Sequence, residues 1–349
     1  MGLPKIAVVI LNWNGKSWLS TFLPSVTQHS LPTDAYEVEV VVADNCSTDD
    51  SVAYVKKHFP AVSVVENAYN AGYAGGYNLA LQQVQADVFV LLNSDVEVTP
   101  GWLHAPVMRL LQNDEIASVQ PKICSYQQKN FLEYAGGAGG FIDRFGYPFC
   151  RGRIFSTLEE DTRQYNTPTE IFWASGACLF VKASCFREAG ELDEDFFAHM
   201  EEIDLCWRLK NLGYTCWYEP SSLVYHVGGG TLQSINPRKT YLNFRNNLFM
   251  LVKNLPRSFF TRTILLRMIL DGIAAIKFVF QGNPRHAYAV FSAHMSFYRH
   301  FTRMYKKRPE GDWLQKKLKL SCVYRRLVVF DYYVKGKTIF STLKDKDFY

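Results

Sequence analysis

The sequence predicts an α/β protein with a mostly parallel central sheet flanked by helices. Three observations carry this. Short apolar, β-branched runs, Ile6 to Leu11, Val38 to Ala43 and the start of Val88 to Val98, have strand length and the nearly continuous hydrophobicity of strands buried on both faces. They alternate with segments of helical composition, the pattern of βαβ units. Each run also ends in a polar cluster: Asn12-Trp13-Asn14-Gly15, Asp44-Asn45-Cys46-Ser47 and Asn93-Ser94-Asp95. Right-handed crossovers bring such strand ends to one rim, where open α/β sheets bind ligands.

In chain order, Lys16 to Gln28 reads as a helix containing Pro24, and Ser47-Thr48-Asp49-Asp50 as the cap of a helix running to about Phe59. A third strand, Val62 to Glu66, opens into the Gly-rich stretch Asn67 to Asn78. Backbone N–H groups at a helix start of that kind suit a phosphate. The spacing is neither G-x-G-x-x-G nor a P-loop, and a tight structural turn is the competing reading. Thr99-Pro100 predicts a helix start, and Ile116 to Ile123 a strand. Residues 124–170, with Gly136-Gly137-Ala138-Gly139-Gly140, read as a mobile excursion before strand patterns resume at Ile171 to Lys182.

The stretch Phe196 to Leu209 then puts Glu201, Glu202 and Asp204 at the front of a helix, with Leu205, Leu209 and Leu212 at apolar spacing. The helix dipole alone accounts for acids there. The functional alternative is a dry surround of Phe196, Phe197 and Met200 that raises a carboxylate pKa and suits a general base. Tyr214 to Tyr218 and Leu223 to Tyr225 read as two short strands. They end at His226, before Gly228-Gly229-Gly230, a position from which a histidine reaches a metal.

Composition sets the class. At 349 residues and 48% hydrophobic the chain is folded, with room for one large domain or two ordinary ones. Eight cysteines without a C-x-x-C pair argue for buried thiols in a reducing compartment. The N-terminus enters the first strand without an apolar leader, which predicts a cytoplasmic protein. Charge is divided: from Arg238 onward 23 Lys and Arg face 6 Asp and Glu, a net of +17, against −12 before it. A basic, aromatic-rich tail of this kind fits an anionic surface, here taken as the inner leaflet of a membrane and not nucleic acid. Phe259 to Phe280 is interrupted by Arg262, Arg267, Asp271 and Lys277, so it is expected to lie in the interface without spanning it. A packed helical cap or a homodimer contact is the alternative.

Six ordered stretches, Asp44 to Asp49, Asn70 to Asn78, Asn93-Ser94-Asp95, Ser175-Gly176-Ala177, Glu201 to Leu205 and Tyr225-His226, resemble the motifs of family 2 glycosyltransferases of GT-A fold. The likeness is greatest to the bacterial rhamnosyltransferase and galactofuranosyltransferase-like branch, and covers about residues 5 to 250. It implies a nucleotide-sugar domain over 1–250 and a basic helical region over 251–349. The reaction implied is inverting transfer of a sugar, rhamnose or a related hexose, from a nucleotide-diphosphate donor to a glycan or lipid-linked acceptor, in cell-surface polysaccharide synthesis.

The resemblance also implies roles. Asn12, Asp44, Asn70, Gly72, Gly75, Asn78, Asn93, Ser94, Asp95 and Gly176 would line the donor site, with Asp44 on the base or ribose. Asp95 and His226 would hold Mg²⁺ or Mn²⁺ at the diphosphate, and Glu202 would take the acceptor proton, with Glu201 and Asp204 as rivals for that task. Asn93 stands where the family's first metal-site acid is usual, and Glu201-Glu202 where Glu-Asp is common. A nucleotide-binding oxidoreductase is disfavoured by the absent G-x-G-x-x-G after strand one. A catalytically inactive sugar-nucleotide-binding module is disfavoured by the presence of Asp95, Glu202 and His226.

Overall fold

The computed structural model describes residues 2–228, 236–308 and 320–349; Gly229 and Gly230 lie outside the described residues. The centre is a sheet in which β1 (Lys5–Asn12), β2 (Glu37–Asp44), β3 (Ser63–Glu66) and β4 (Val88–Asn93) run parallel. The helices between them are α1 (Lys16–His29), α2 (Ser51–His58) and α3 (Gly72–Leu81). Alternation along each strand divides the core into two layers. Ile6, Val8 and Ile10 pack with Leu19 and Leu23 of α1 and Val55 of α2, whereas Ala7 and Val9 pack with Ala74 and Tyr77 of α3. The continuous apolar runs in the sequence are therefore strands covered on both faces.

Beyond β4 the sheet becomes mixed. After the short β5 (Val96–Val98), α4 (His104–Gln112) and β6 (Ile116–Ser125), β12 (Cys178–Lys182) inserts antiparallel between β4 and β6. A strand over Thr215–His226, β13, pairs parallel with β6, antiparallel with β5 and, at the edge, with β11 (Thr169–Ile171). The full order is β11-β13-β6-β12-β4-β1-β2-β3. Two expected strands thus merge into β13, whose register against β6 shifts between Glu219 and Leu223, around Pro220. Such a bulge leaves the alternation interrupted although the strand continues.

Other expectations change as well. Thr99 does not cap a helix: its hydroxyl donates to Leu223 O, a turn follows, and α4 begins at His104. Asp49, not the N-cap Asp50, accepts from the Ser51 N–H at the start of α2. The strand patterns expected to resume over Ile171 to Lys182 belong to two strands, β11 and β12. Residues 124–170 are not an unstructured excursion. They supply β7 (Gly140–Asp143), β8 (Pro148–Cys150), β9 (Arg153–Ile154) and β10 (Thr157–Leu158) of a second sheet, each too short to show a period. All eight cysteines are free; six are buried, Cys46 is exposed and Cys322 is partly so.

The chain after residue 250 is tied back onto this body. Helix α5 (Ala183–Glu188) and α6 (Glu201–Asn211) precede β13, and α7 (Pro237–Asn254), α8 (Arg257–Phe280) and α9 (Pro284–Lys306) follow it. A last strand, β14 (Val323–Tyr324), pairs parallel with β7, and α10 (Val328–Tyr333) closes on it through Val328 N–H to Asp143. Buried charge does the rest. Lys253 of α7 lies 2.6 Å from Asp193 and 2.7 Å from Asp204 of α6; Asn254 and Arg208 also bind Asp204, and Lys307 reaches Asp193 at 2.5 Å.

Removing one partner from such a cluster strands the others without a counter-charge. Lys253→Met should lower unfolding stability by about 3 kcal/mol, read as a lower urea midpoint. An unchanged midpoint would show that the cluster is solvated and contributes nothing.

Candidate active site

The strand ends predicted to form a rim do so. Asn93, Ser94 and Asp95 lie at the β4–β5 junction, and His226 ends β13, which pairs with β5 through His226 and Val96. The His226 Nε2 atom is 3.2 Å from Asp95 Oδ1 and 3.4 Å from Asn93 Nδ2. On the other side of the ring, Nδ1 is 3.3 Å from Glu133 Oε2. Burial pushes this imidazole's pKa down, but the Glu133 and Asp95 carboxylates override it and hold the group at about 10. Glu133 is the site residue the sequence did not disclose. A single Glu between Leu132 and Tyr134, in the region of very short strands, has no pattern around it.

Asp44 is buried and shapes the neighbouring loop. Its carboxylate accepts from Asn12 Nδ2 at 2.9 Å and from Ser47 N–H at 2.9 Å, while Asn12 also donates to Ser51. Asn70 accepts from Asn45 and from the Gly72 N–H. The phosphate cradle expected at the start of α3 is filled by the chain itself. Tyr73 N–H and Ala74 N–H both donate to Phe197 O. Gly72, at φ +73°, leaves room for the Phe197 ring, which a Cβ would meet at 2.5 Å; Gly75 packs against Ala71 and Glu194. Asn78 binds Leu192 through both amide groups, and Gly176 O accepts from Tyr73. These residues therefore join α3, the 192–199 segment and the rim into one unit.

That segment is held in a costly shape. Phe197, His199 and Met200 all have positive φ, of 65°, 70° and 75°, a region that side-chain-bearing residues rarely adopt. The fixing groups come from α7. Asn246 Nδ2 donates to the carbonyls of Phe196, Ala198 and His199, and Arg245 to those of Asp195 and Phe196. The turn delivers Glu201 and Glu202 at the first positions of α6. Their Oε2 atoms are buried without a hydrogen-bond partner.

Burial raises Glu202 to about 7; Glu201 is raised well above the usual carboxylate range by burial and by the neighbouring Glu202. Asp204, two residues after Glu202, is fully buried with both oxygens bound by Lys253, Arg208 and Asn254. Burial raises the Cys150 thiol, and Glu133 and Glu202 both add to the effect.

A profile of glycosyl transferase family 2 matches residues 7–186, just over half of the chain. The chain belongs to that family. It is similar to N-acetylglucosaminyl-diphospho-decaprenol L-rhamnosyltransferase of Mycobacterium tuberculosis, with 28% identity over 63% of this chain and 75% of that one. It is also similar to the low-salt glycan biosynthesis hexosyltransferase Agl10 of Haloferax volcanii, with 20% identity over 83% and 90%. Among solved structures, the mannosyltransferase PcManGT of Pyrobaculum calidifontis, in complex with GDP-Man and Mn²⁺, shares the fold with TM-score 0.52 and 13% identity over 84% of this chain and 87% of that one. GalNAc-T7 with UDP, GalNAc and Mn²⁺ does so with TM-score 0.54 and 18% identity, over 72% and 48%.

The GT-A fold is thus shared, and the protein is a glycosyltransferase, in place of the oxidoreductase the sequence had left as a rival.

The carboxyl of Glu202 offers a test independent of turnover. Because its folded-state pKa of about 7 lies above the ordinary 4.5, ionising it costs stability as pH rises between those values. Glu202→Gln should therefore raise the Tm at pH 8 and leave it unchanged at pH 4. Equal shifts at both pH values would place the carboxyl in water.

Proposed function

We propose that this glycosyltransferase is inverting, and that it moves a hexose or deoxyhexose such as rhamnose from a nucleoside diphosphate to a hydroxyl of a lipid-linked glycan acceptor. One observation carries the reading. The rim holds a carboxylate–imidazole pair, Asp95 and His226, and the turn that Tyr73 ties to Gly176 of this rim delivers a carboxyl, Glu202, that burial raises to about 7 and that has an unpartnered oxygen. The likeness to a rhamnosyltransferase named for a diphospho-decaprenol acceptor supports the choice of donor and acceptor class.

The donor set suits a divalent cation. Among the described residues no group of three His, Cys, Asp or Glu could enclose an ion. Magnesium and its kin are commonly held by one or two protein ligands, with substrate phosphates and water supplying the rest. Asp95 Oδ1 and His226 Nε2 are 3.2 Å apart, close to the separation of about 3 Å between adjacent ligands of an octahedron with bonds of about 2.1 Å. A bound Mg²⁺ or Mn²⁺ would neutralise charge gathering on the departing diphosphate.

The remaining work belongs to the chain. Glu202 accepts the acceptor proton as the hydroxyl oxygen attacks the anomeric carbon and the bond to the diphosphate oxygen breaks, so that a single in-line displacement inverts the centre. Its pKa near 7 makes it half-ionised at neutral pH and a stronger base than an exposed carboxylate. Glu133, 3.3 Å from Nδ1, orients the ring from its far side. Asp204 anchors α6, with no oxygen free for the acceptor.

A panel of nucleotide sugars tested with Mg²⁺ or Mn²⁺, read as thermal stabilisation and as sugar transfer, checks the reading. Stabilisation by none of them, with no turnover, would sink it. Glu202→Gln should leave donor affinity within a few-fold and cut kcat on the order of 10²-fold or more, and the wild-type acid limb should titrate near pH 7. A comparable loss in Glu201→Gln with Glu202→Gln mild would move the base. Asp95→Ala and His226→Ala should each weaken metal-dependent donor binding in calorimetry; unchanged affinity in both would remove the cation from this pair.

A further inference from the structure

We propose that the outer face of the α8–α9 hairpin seats on an anionic lipid surface. On α8, Leu265, Ile269, Ile273, Ile276 and Phe280 fall within one quarter of the helix circumference at spacings of four, four, three and four. All are exposed, Ile269 at 63% and Phe280 at 87%. On α9, Tyr288, Phe291, Met295 and Tyr298 form a similar exposed stripe. The inner sides of the same helices are spent on the protein: Ile264, Ala293 and Phe297 are buried, and Phe260 meets Phe301 with ring centroids 6.1 Å apart. The outer stripe is a second apolar face, contiguous and, among the described residues, unfilled, of the kind that marks an interaction surface.

Charge selects the occupant. From Arg257 to Arg308 the chain carries ten Lys and Arg and a single acid, Asp271. Asp271 is buried beside Arg267 and His294, facing away from the stripe. Arg262, Arg285, Arg299 and Lys306 are exposed and form no ion pair among the described residues. Apolar side chains bordered by cations, with no exposed carboxylate, match the acyl–headgroup boundary of an anionic leaflet. A second copy of the chain fits poorly, since a two-fold contact would set this cationic face against itself. Among the described residues no helix is long and apolar enough to cross a membrane, so the seat is on the surface.

The inference goes beyond the transfer reaction and needs no donor to test. The intact protein should sediment with phosphatidylglycerol-containing vesicles at low salt, stay in solution with pure phosphatidylcholine, and release as salt shortens the Debye length. Arg285→Gln/Arg299→Gln should weaken binding about thirty-fold, roughly five-fold per cation. Ile269→Glu/Ile273→Glu should abolish it, while circular dichroism and Tm confirm that these surface changes leave the fold intact. Equal binding to neutral vesicles, or full binding by the Ile variant, would overturn the proposal. So would absence of vesicle binding together with a concentration-dependent dimer that the Ile variant breaks, which would give the face to a second copy.

Discussion

The ammonium of Lys253, shared between Asp193 and Asp204, is the contact on which the active geometry depends. Asp204 belongs to the helix that begins with Glu201 and Glu202, Asp193 to the segment leading into the positive-φ turn, and Lys253 to the helix whose Asn246 and Arg245 grip that turn. One buried cation therefore fixes three elements relative to each other. Hydrophobic residues of similar volume would hold the layers together as strongly, since desolvation offsets much of the attraction between buried ions. They would not fix position along the helix axis to the same degree. Lys307, just past the end of α9, also binds Asp193 and extends the same logic to the C-terminal hairpin; Lys253 and Lys307 together hold the Asp193 carboxyl well below the usual range against the upward push of burial.

Three acids within four residues of α6 meet different fates because of what surrounds each. Asp204 is deepest and fully paired. Glu201 and Glu202 are removed from water without a cation, so each is raised. The same rule explains the rim, where the Glu133 and Asp95 carboxylates hold the buried His226 imidazole's pKa up against burial; a divalent cation at Asp95 and His226 would take the place of that proton. Partner supply, more than depth, separates a structural ion from a chemically poised one.

Much of this was legible in the sequence. Runs such as Ile6 to Leu11 and Val88 to Leu92 declared doubly covered strands, and the polar residues after them marked the rim, because both follow from local periodicity. The acids at the front of α6 were visible as a cluster, but not which of them would be paired, since Lys253 lies 49 residues beyond Asp204. Glu133 was hidden for a similar reason, being brought to His226 by tertiary pairing alone. The Gly-rich stretch after Glu66 misled in a more instructive way: its free N–H groups were real, and the Phe197 carbonyl claims them. Strands of two to four residues, β7 to β10, have too few positions to declare a period.

The grip of α7 and α9 on the turn before Glu202 also sets an order of events during synthesis. Arg245, Asn246 and Lys253 leave the ribosome some 40 to 50 residues after Glu202, and Lys307 about 100 after it. At about 5–20 residues per second, a nascent chain spends several seconds with its sheet built and its three positive-φ residues unsupported. The turn is expected to relax to ordinary backbone during that interval. A ribosome-bound chain would then carry every residue of the rim and still be unable to transfer sugar until the later helices arrive.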